Sequence, residues 1–171
     1  EVLRELLPEG LVPPTAFESV GHVAHLNLRP EHLPYRHAIG QILLDKNPII
    51  KTVINKTGMV ENEFRTLDYE ILAGNRSLET EVRQGGCRFQ LDFGKVYWNS
   101  RLEFEHMRLV DCFHPSDVVL DLMAGIGPFA IPAAKKGCTV IANDKNPDSF
   151  RYLIQNIQIN KVVGDVLPFN L

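Results

Sequence analysis

One stretch in the last third of the 171-residue chain constrains its fold more than any other. An apolar run, Val118 to Leu122, leads into a loop that contains Gly125 and Gly127, and an apolar pattern with the period of a helix follows. A second apolar run, Thr139 to Asn143, ends at the carboxylate of Asp144. A strand, a glycine loop, a helix and a second strand in this order form half of a nucleoside-binding α/β sheet.

The residues ahead of that sheet alternate with the period of a strand and predict a small α+β domain with a mixed or largely antiparallel sheet. A helix is predicted from Leu33 to Asp45. Residues 1–14, which end in Pro13-Pro14, are expected to be a loosely held lead-in. Strands are predicted at Phe17 to Leu28, Ile49 to Lys56, Phe64 to Thr66, Tyr69 to Ala73, Glu79 to Gln84 and Cys87 to Phe93.

The pattern takes the period of a helix at Ser100, where Ser100 and Glu103 have the spacing of a capping box. We predict a helix from Arg101 to Cys112, another from Pro147 to about Asn160, and a third strand within Val163 to Phe169. The predicted organisation is a lead-in at 1–14, an α+β domain at 15–99, a linking helix at 100–113 and the N-terminal half of a Rossmann-like domain at 114–171.

Composition excludes several classes of protein. A hydrophobic content of 44% is enough for a buried core, and no run of eighteen apolar residues predicts a membrane anchor. The three cysteines are widely separated, fit no metal-ligand spacing and are too few for a disulfide framework. The net charge of −3 argues against a basic surface over the whole domain but leaves a local basic patch open.

The loop pattern Asp-x-x-Ala-Gly-x-Gly, from Asp121 to Gly127, predicts close approach of the backbone to a ligand. It differs from the dinucleotide fingerprint, whose third glycine would stand at Ala130. A plain turn between strand and helix remains the alternative. Asp144 ends the next strand, where a carboxylate can accept hydrogen bonds from ribose hydroxyls. The two features favour S-adenosylmethionine over a dinucleotide.

A second informative stretch enters the linking helix, where Arg101, Glu105 and Arg108 have the spacing of one helix face. The alternative for these three is a solvated ion-pair ladder of little energetic consequence. Ordinary structural roles also stay open for four more side chains: a partly buried His106, packing residues Tyr97 and Trp98, and an exposed Arg65.

Several motifs together carry a resemblance to a known family. They are Gly-His-Val-Ala-His-Leu-Asn-Leu at 21–28, Asn-Glu-Phe-Arg at 62–65, Lys-Val-Tyr-Trp-Asn-Ser-Arg-Leu at 95–102, Glu-His at 105–106, Met-Ala-Gly-Ile-Gly-Pro-Phe-Ala-Ile-Pro-Ala-Ala-Lys-Lys-Gly-Cys at 123–138 and Ala-Asn-Asp-Lys-Asn-Pro-Asp-Ser at 142–149. The chain resembles the tRNA guanine-37 N1-methyltransferase family in its archaeal and eukaryotic form, and the Tyr-Trp-Asn-Ser wording resembles its eukaryotic branch.

The resemblance implies roles for individual residues. Glu105 would be the general base for guanine N1, and Arg65 would support the O6 side of the base. The cofactor would be S-adenosylmethionine, without a metal. Its contacts would be Tyr97, His106, Ala124, Gly125, Gly127, Asp144 and Lys145. The substrate would be tRNA near the anticodon stem-loop, acted on by a monomer in the cytoplasm, and also in the nucleus or mitochondrial matrix.

Two other functions stay open. One is the related wybutosine-pathway enzyme, which transfers an aminocarboxypropyl group from the same cofactor and generally lacks the Glu-His pair seen at 105 and 106. The other is an inactive RNA-binding or interaction module. The family's Asp-Gly and Asn-Pro-Pro motifs would follow Leu171, so we expect the 171 residues to form an incomplete methyltransferase domain that does not catalyse the reaction alone.

Overall fold

The computed structural model describes residues 2–14, 16–58, 63–66 and 68–171. Its strands are β1 (Glu18–Val20), β2 (Val23–Leu26), β3 (Thr52–Lys56), β4 (Tyr69–Gly74), β5 (Glu79–Gln84), β6 (Cys87–Asp92), β7 (Val118–Asp121), β8 (Thr139–Asn143) and β9 (Val166–Phe169). Its α-helices are α1 (Val2–Leu6), α2 (Arg36–Lys46), α3 (Glu103–Cys112), α4 (Ala130–Lys135) and α5 (Pro147–Asn160), with 3₁₀ turns at Pro30–Tyr35 and Ser100–Leu102. The predicted domain start at residue 15 and Asn62 of the Asn-Glu-Phe-Arg motif lie outside the described residues.

The first sheet has the order β1-β2-β3-β4 and is mixed, as predicted. β2 and β3 are parallel and are joined through α2, whereas the β1–β2 and β3–β4 pairs are antiparallel. The predicted helix from Leu33 is confirmed, with a 3₁₀ turn before α2. Its Ile39 is fully buried in the same apolar cluster as Val53 and Leu72 of the sheet.

Two strand predictions were wrong. The single strand from Phe17 to Leu28 is the hairpin β1–β2, which turns at Gly21-His22. Both short strands supply core residues, so the apolar alternation continues across the turn. Phe64 to Thr66 is not a strand, because Arg65 has a φ of +52°, in the left-handed region that an extended strand does not use.

The expected loose lead-in is also corrected. Leu7 is 5% exposed and belongs to the apolar cluster of the first sheet, with Leu3 and Leu11 packed against it. The Val12 carbonyl lies 2.9 Å from Nε2 of His32, which is itself buried. Because apolar side chains on both sides of the Pro8 turn are inserted into the core, this segment is part of the packed domain.

The second sheet is parallel, with the order β7-β8-β9, and is flanked by α4 and α5. The antiparallel hairpin β5–β6 packs against α5. Phe89 of this hairpin and Leu153 of α5 are fully buried in one apolar cluster. The hairpin and the glycine-loop sheet therefore share a core, as expected for Rossmann-like packing of strands and helices.

The linking helix begins later than predicted, and the predicted capping box is absent. Instead, Ser100 Oγ accepts the indole N–H of Trp98, and Asn99 Oδ1 accepts the backbone N–H of Arg101. Glu103 Oε1 accepts the N–H of Gly85 in the β5–β6 turn. The 3₁₀ turn moves the start of α3 to Glu103, and these bonds attach it to the hairpin.

Neither a membrane anchor nor a disulfide was expected from the sequence. Among the described residues, none of the helices has both the length and the apolar content needed to cross a bilayer. All three cysteines carry free thiols, of which only Cys112 is exposed.

Candidate functional site

The glycine loop follows β7 and is held by the end of β8. The N–H of Ala124 donates to the Asn143 carbonyl at 2.8 Å. The N–H of Gly125 donates to Asp144 Oδ2 at 2.7 Å, and that of Asn146 donates to Oδ1 at 2.9 Å. Both Asp144 oxygens are thereby oriented, and each keeps a second lone pair for another donor. The structure therefore brings together four predicted neighbours of the cofactor: Ala124, Gly125, Gly127 and Asp144.

The two glycines have different surroundings. Both have positive φ, +55° at Gly125 and +99° at Gly127. A Cβ on Gly125 would meet nothing within 4 Å, whereas one on Gly127 would lie 2.8 Å from Ile131 Cδ1 and 2.9 Å from Leu153 Cδ1. Gly125 faces open space at the loop, and Gly127 permits close packing of the loop on α4 and α5. The helix predicted after the glycine loop, α4, begins only at Ala130 and has six residues. The residues between Gly127 and Ala130 form a turn.

Asp121, the last residue of β7, is a further candidate for the site that was not singled out from the sequence. Its Oδ2 is buried and has no hydrogen-bond partner among the described residues. Burial raises the pKa of Asp121 to about 6, the Asp144 charge adds to this, and the Met123 N–H opposes it. An unpaired buried carboxylate is costly unless a cation or donor reaches it. Its place at the end of an apolar strand, before the glycines, was the available sequence signal.

These residues fit S-adenosylmethionine. The open space at Gly125 admits close approach to the backbone, the oriented Asp144 carboxylate can accept ribose hydroxyls, and Asp121 offers an unsatisfied anionic oxygen to a positively charged group. We call this set, Asp121, Gly125 and Asp144, the cradle. In the described residues no group of three or more His, Cys, Asp or Glu side chains could hold a metal ion.

A cleft of about 190 Å³ lies between the first sheet and the segment that enters α3. Tyr97, which is 43% exposed, and Arg65 are both in its wall. The left-handed backbone of Arg65 is strained for a residue with a side chain, and such strain is concentrated at functional sites. The lining residues are Glu18, Val20, His25, Lys56, Arg65, Phe93, Val96, Tyr97, Trp98, Asn99, Ser100 and Arg101.

Two contacts join the cradle to the segments that form the cleft. Lys145, directly after Asp144, forms an ion pair with Glu63, two residues before Arg65. The Asn146 side-chain amide donates to the Lys95 carbonyl at 2.9 Å, two residues before Tyr97. The structure therefore places the Arg65 and Tyr97 segments beside the loop that carries Asp144.

Glu105 lies outside the residues that line the cleft. Its carboxylate accepts two hydrogen bonds from Arg108, each 2.7 Å, on the exposed surface of α3. These bonds lower the pKa of Glu105 and make it a weaker base. Arg101 pairs instead with Glu18 of β1, so the expectation that it shares one helix face with Glu105 and Arg108 was wrong. The reason is that Arg101 lies in the 3₁₀ turn, which does not keep α-helical spacing.

His106 is on the buried side of α3 and is 5% exposed. Its Nδ1 lies 2.7 Å from Gln84 Nε2, and its ring meets Phe129 edge-on with centroids 4.5 Å apart. Burial lowers the pKa of His106, which favours the neutral imidazole. Phe129 lies two residues after Gly127, directly before α4, so His106 contacts the end of the glycine loop through this ring. Sequence reasoning missed both partners, and no spacing signal identified them.

Two family models cover the chain. The model described as "TRM5/TYW2 methyltransferase domain" matches residues 80–171, and the one described as "TYW2 N-terminal domain" matches residues 1–77. A protein of Fusarium vanettenii named "tRNA (guanine(37)-N(1))-methyltransferase" is 57% identical over 174 residues, covering 99% of this chain and 37% of its own length.

Solved structures agree in fold. One described as the complex of aTrm5 and tRNALeu has a TM-score of 0.84 at 30% identity, and the match covers 99% of this chain and 49% of that one. Pyrococcus horikoshii TYW2 in complex with MeSAdo gives 0.81 at 31% identity, covering 99% and 62%. The chain spans 28% to 42% of the length of the curated relatives that it matches. By the match over residues 80–171, more than half of its length, the chain belongs to the TRM5/TYW2 methyltransferase family.

Proposed function

We propose that the protein transfers a methyl group from S-adenosylmethionine to N1 of guanosine 37 in tRNA. The observation that carries this proposal is the junction of the cradle with the cleft through the Lys145–Glu63 pair. A cofactor bound over Gly125 would then lie beside a cleft that offers Arg65 and an exposed aromatic ring. The Fusarium vanettenii relative named for this activity supports the choice of base and position.

The reaction needs a base because guanine N1 carries a proton at neutral pH. Glu105 would accept that proton as N1 bonds to the methyl carbon, after its carboxylate has left Arg108 for the substrate. Arg65 would stabilise the negative charge that develops towards O6. When bound, the sulfonium cofactor would supply the methyl group.

The other residues of the site would bind and orient. Asp144 would accept hydrogen bonds from the ribose hydroxyls, through the lone pairs that the Gly125 and Asn146 N–H groups do not use. Asp121 would face a positively charged part of the cofactor. Tyr97 would offer a stacking surface, and His106, held by Gln84, would fix the glycine loop through Phe129.

Single-turnover methylation of tRNA by the full-length protein tests the two catalytic assignments. We expect Glu105→Gln to lower the rate by about 10²–10⁴-fold and Arg65→Ala by about 10²–10³-fold. Cofactor affinity should stay nearly unchanged in both. Glu103→Gln and Arg76→Ala are matched controls, since each makes the same kind of change at an exposed residue that has no assigned role in the reaction, and the glutamine of Glu103→Gln keeps the side-chain oxygen that accepts the Gly85 N–H. Near-normal rates in both test variants would contradict the assignment.

We also propose the anticodon stem-loop region as the part of tRNA that is bound, a monomer as the active form, and work in the cytoplasm, the nucleus and the mitochondrial matrix. These proposals rest on the resemblance of the motifs. Footprinting on tRNA, light scattering during gel filtration, and fractionation of cells measure them one by one.

A second candidate is transfer of an aminocarboxypropyl group. It is favoured by the match of residues 1–77 to the TYW2 N-terminal domain and by the likeness to Pyrococcus horikoshii TYW2. The adjacent Glu105 and His106 favour methyl transfer instead, since that pair is typical of the methyltransferases. Mass spectrometry of the product nucleoside distinguishes the small mass of a methyl group from that of the larger substituent.

A further inference from the structure

The charges in the cleft are unbalanced. Three cationic side chains line it, Lys56, Arg65 and Arg101, against one carboxylate, Glu18. Glu18 is already bound to Arg101, and its other oxygen lies 3.8 Å from His25. Within the described ranges, neither Lys56 nor Arg65 has an ion-pair partner. The cleft is therefore locally basic on a chain whose net charge is −3.

Lys56 is the unusual member of this set. It is the last residue of β3 and is partly buried. Burial lowers the pKa of Lys56, because desolvation disfavours the ammonium form. A partly desolvated ammonium without a carboxylate partner is unfavourable in the free protein and becomes favourable when an anion binds.

His25, which also lines the cleft, adds no charge to it at neutral pH. It is 7% exposed, and its ring contacts that of Phe93 in a tilted arrangement, with centroids 5.2 Å apart and planes at 38°. Burial, together with the Lys56 charge, lowers the pKa of His25 to about 4. The imidazole is thus neutral at physiological pH, and its 3.8 Å approach to Glu18 is not a charged pair there. Among the described residues that line the cleft, Lys56 and Arg65 are therefore the two cations without an ion-pair partner.

We propose that Lys56 binds a phosphate group of the RNA strand that carries the target guanine. Arg65 lines the same cleft and is proposed to contact the guanine base. The exposed ring of Tyr97 offers a stacking surface beside Lys56 and Arg65. The cleft would then hold one nucleotide by its base and an adjoining phosphate. This inference rests on the proposed function, because it takes RNA as the substrate.

An anionic oxygen could also come from the carboxylate of the cofactor, and the experiment separates the two sources. In the full-length protein, Lys56→Met removes the charge and keeps most of the side-chain volume, whereas Lys56→Arg restores a cation. Lys51→Met is the matched control, since Lys51 is an exposed lysine just before β3 and outside the residues that line the cleft.

With a tRNA transcript that contains guanosine 37, we expect Lys56→Met to raise KM about tenfold and leave kcat within about twofold. The slope of log KM against log salt concentration should fall by about one, the loss of one phosphate contact. Lys56→Arg should recover most of the affinity, and Lys51→Met should match the wild type. Cofactor affinity, measured by calorimetry without RNA, should not change.

Three results would overturn the inference: a KM equal to that of Lys51→Met, a loss of cofactor affinity, or a loss of kcat with unchanged KM. Filter binding of the same transcript keeps the test independent of turnover. If the wild type binds the transcript without methylating it, the proposed function fails, while the salt dependence of binding still decides the role of Lys56.

Discussion

At the scale of single residues, neighbours in sequence have different tasks. Glu105 and Arg108 are exposed on α3, whereas His106 is buried against Gln84 and Phe129. A helix turns about 100° per residue, so adjacent positions point in different directions. The apolar positions around His106 were enough to predict its burial. The pairing of Glu105 with Arg108 was one of two readings that the spacing left open, because spacing does not show which partner a carboxylate selects.

Alanine substitutions at the two loop glycines should have different effects on stability and on cofactor affinity. Gly125→Ala should lower the free energy of unfolding by only about 1 kcal/mol, the cost of a left-handed residue with a Cβ. It should nevertheless reduce cofactor affinity strongly, because the methyl group would occupy the open space of the cradle. Gly127→Ala should lower the free energy of unfolding by roughly 2–4 kcal/mol, since its Cβ would collide with Ile131 and Leu153.

Urea denaturation and cofactor titration of both variants measure these effects. Gly86→Ala is the control for a positive φ, because its added Cβ also meets open space but lies in the β5–β6 turn. Equal losses of stability in Gly125→Ala and Gly127→Ala would show that the assigned difference between the glycines is wrong.

At the scale of elements, two asparagines of α5 hold the β5–β6 hairpin. Asn156 is fully buried; its Oδ1 accepts the Gln90 N–H at 2.7 Å, and its Nδ2 donates to the Gln90 and Ile126 carbonyls at 3.1 Å each. One turn later, Asn160 makes the same kind of contact with the backbone of Arg88. Asn156 thus joins the hairpin, α5 and the glycine loop.

Asn156→Ala should therefore be strongly destabilising. It leaves the Gln90 N–H and the Gln90 and Ile126 carbonyls without this partner, for which we expect a loss of roughly 3 kcal/mol in the free energy of unfolding. Gln158→Ala, on the exposed side of α5, should change it by less than about 0.5 kcal/mol. Urea denaturation followed by circular dichroism measures both. A small effect at Asn156 would mean that water or another group replaces its hydrogen bonds.

Some helices and strands were predicted closely from the sequence patterns, and others were not. Strands such as β8 and the helix α5 were predicted closely, because a continuous apolar run or a 3.6-residue stripe reflects burial in one element. The β1–β2 turn and the start of α3 were missed. In both, distant partners decide: His22 donates its N–H to Thr80, and Glu103 accepts from Gly85. Local patterns contain no information on such contacts.

At the scale of the whole molecule, the sequence predicted the glycine-loop sheet but not how it meets the other elements; the residues expected to face the cofactor stay a prediction. The hairpin β5–β6 was placed with the first domain, and its Phe89 is buried in a cluster that contains residues of both sheets. The cleft was not predicted either, because Glu18, Lys56 and Arg101 come from three separate segments. Only the fold brings them together, and with them the excess of positive charge.

Buried ionisable groups from both sheets set how stability responds to pH. The pKa of His25 is lowered to about 4, so the unfolded chain binds a proton below about pH 6.5 that the folded protein does not, and stability falls on acidification. The pKa of Asp121 is raised to about 6 from 3.8, so the folded protein takes up a proton first, and acidification through that range favours folding. The two effects oppose each other in one pH window.

The variant Asp121→Asn removes the effect of Asp121 on the pH dependence of stability and leaves that of His25. At pH 7 the wild type holds an ionised, buried carboxylate that the variant lacks, so the variant should be more stable by roughly 2–4 kcal/mol. This advantage should vanish as the pH falls through about 6 towards 4, because the wild-type carboxyl is then protonated, while the opposing effect of His25 remains in both proteins. Urea midpoints across this range, compared with Asp165→Asn as an exposed control, measure the difference. A constant difference between variant and wild type would show that Asp121 is not the titrating group, since only a group whose pKa changes on folding makes stability depend on pH.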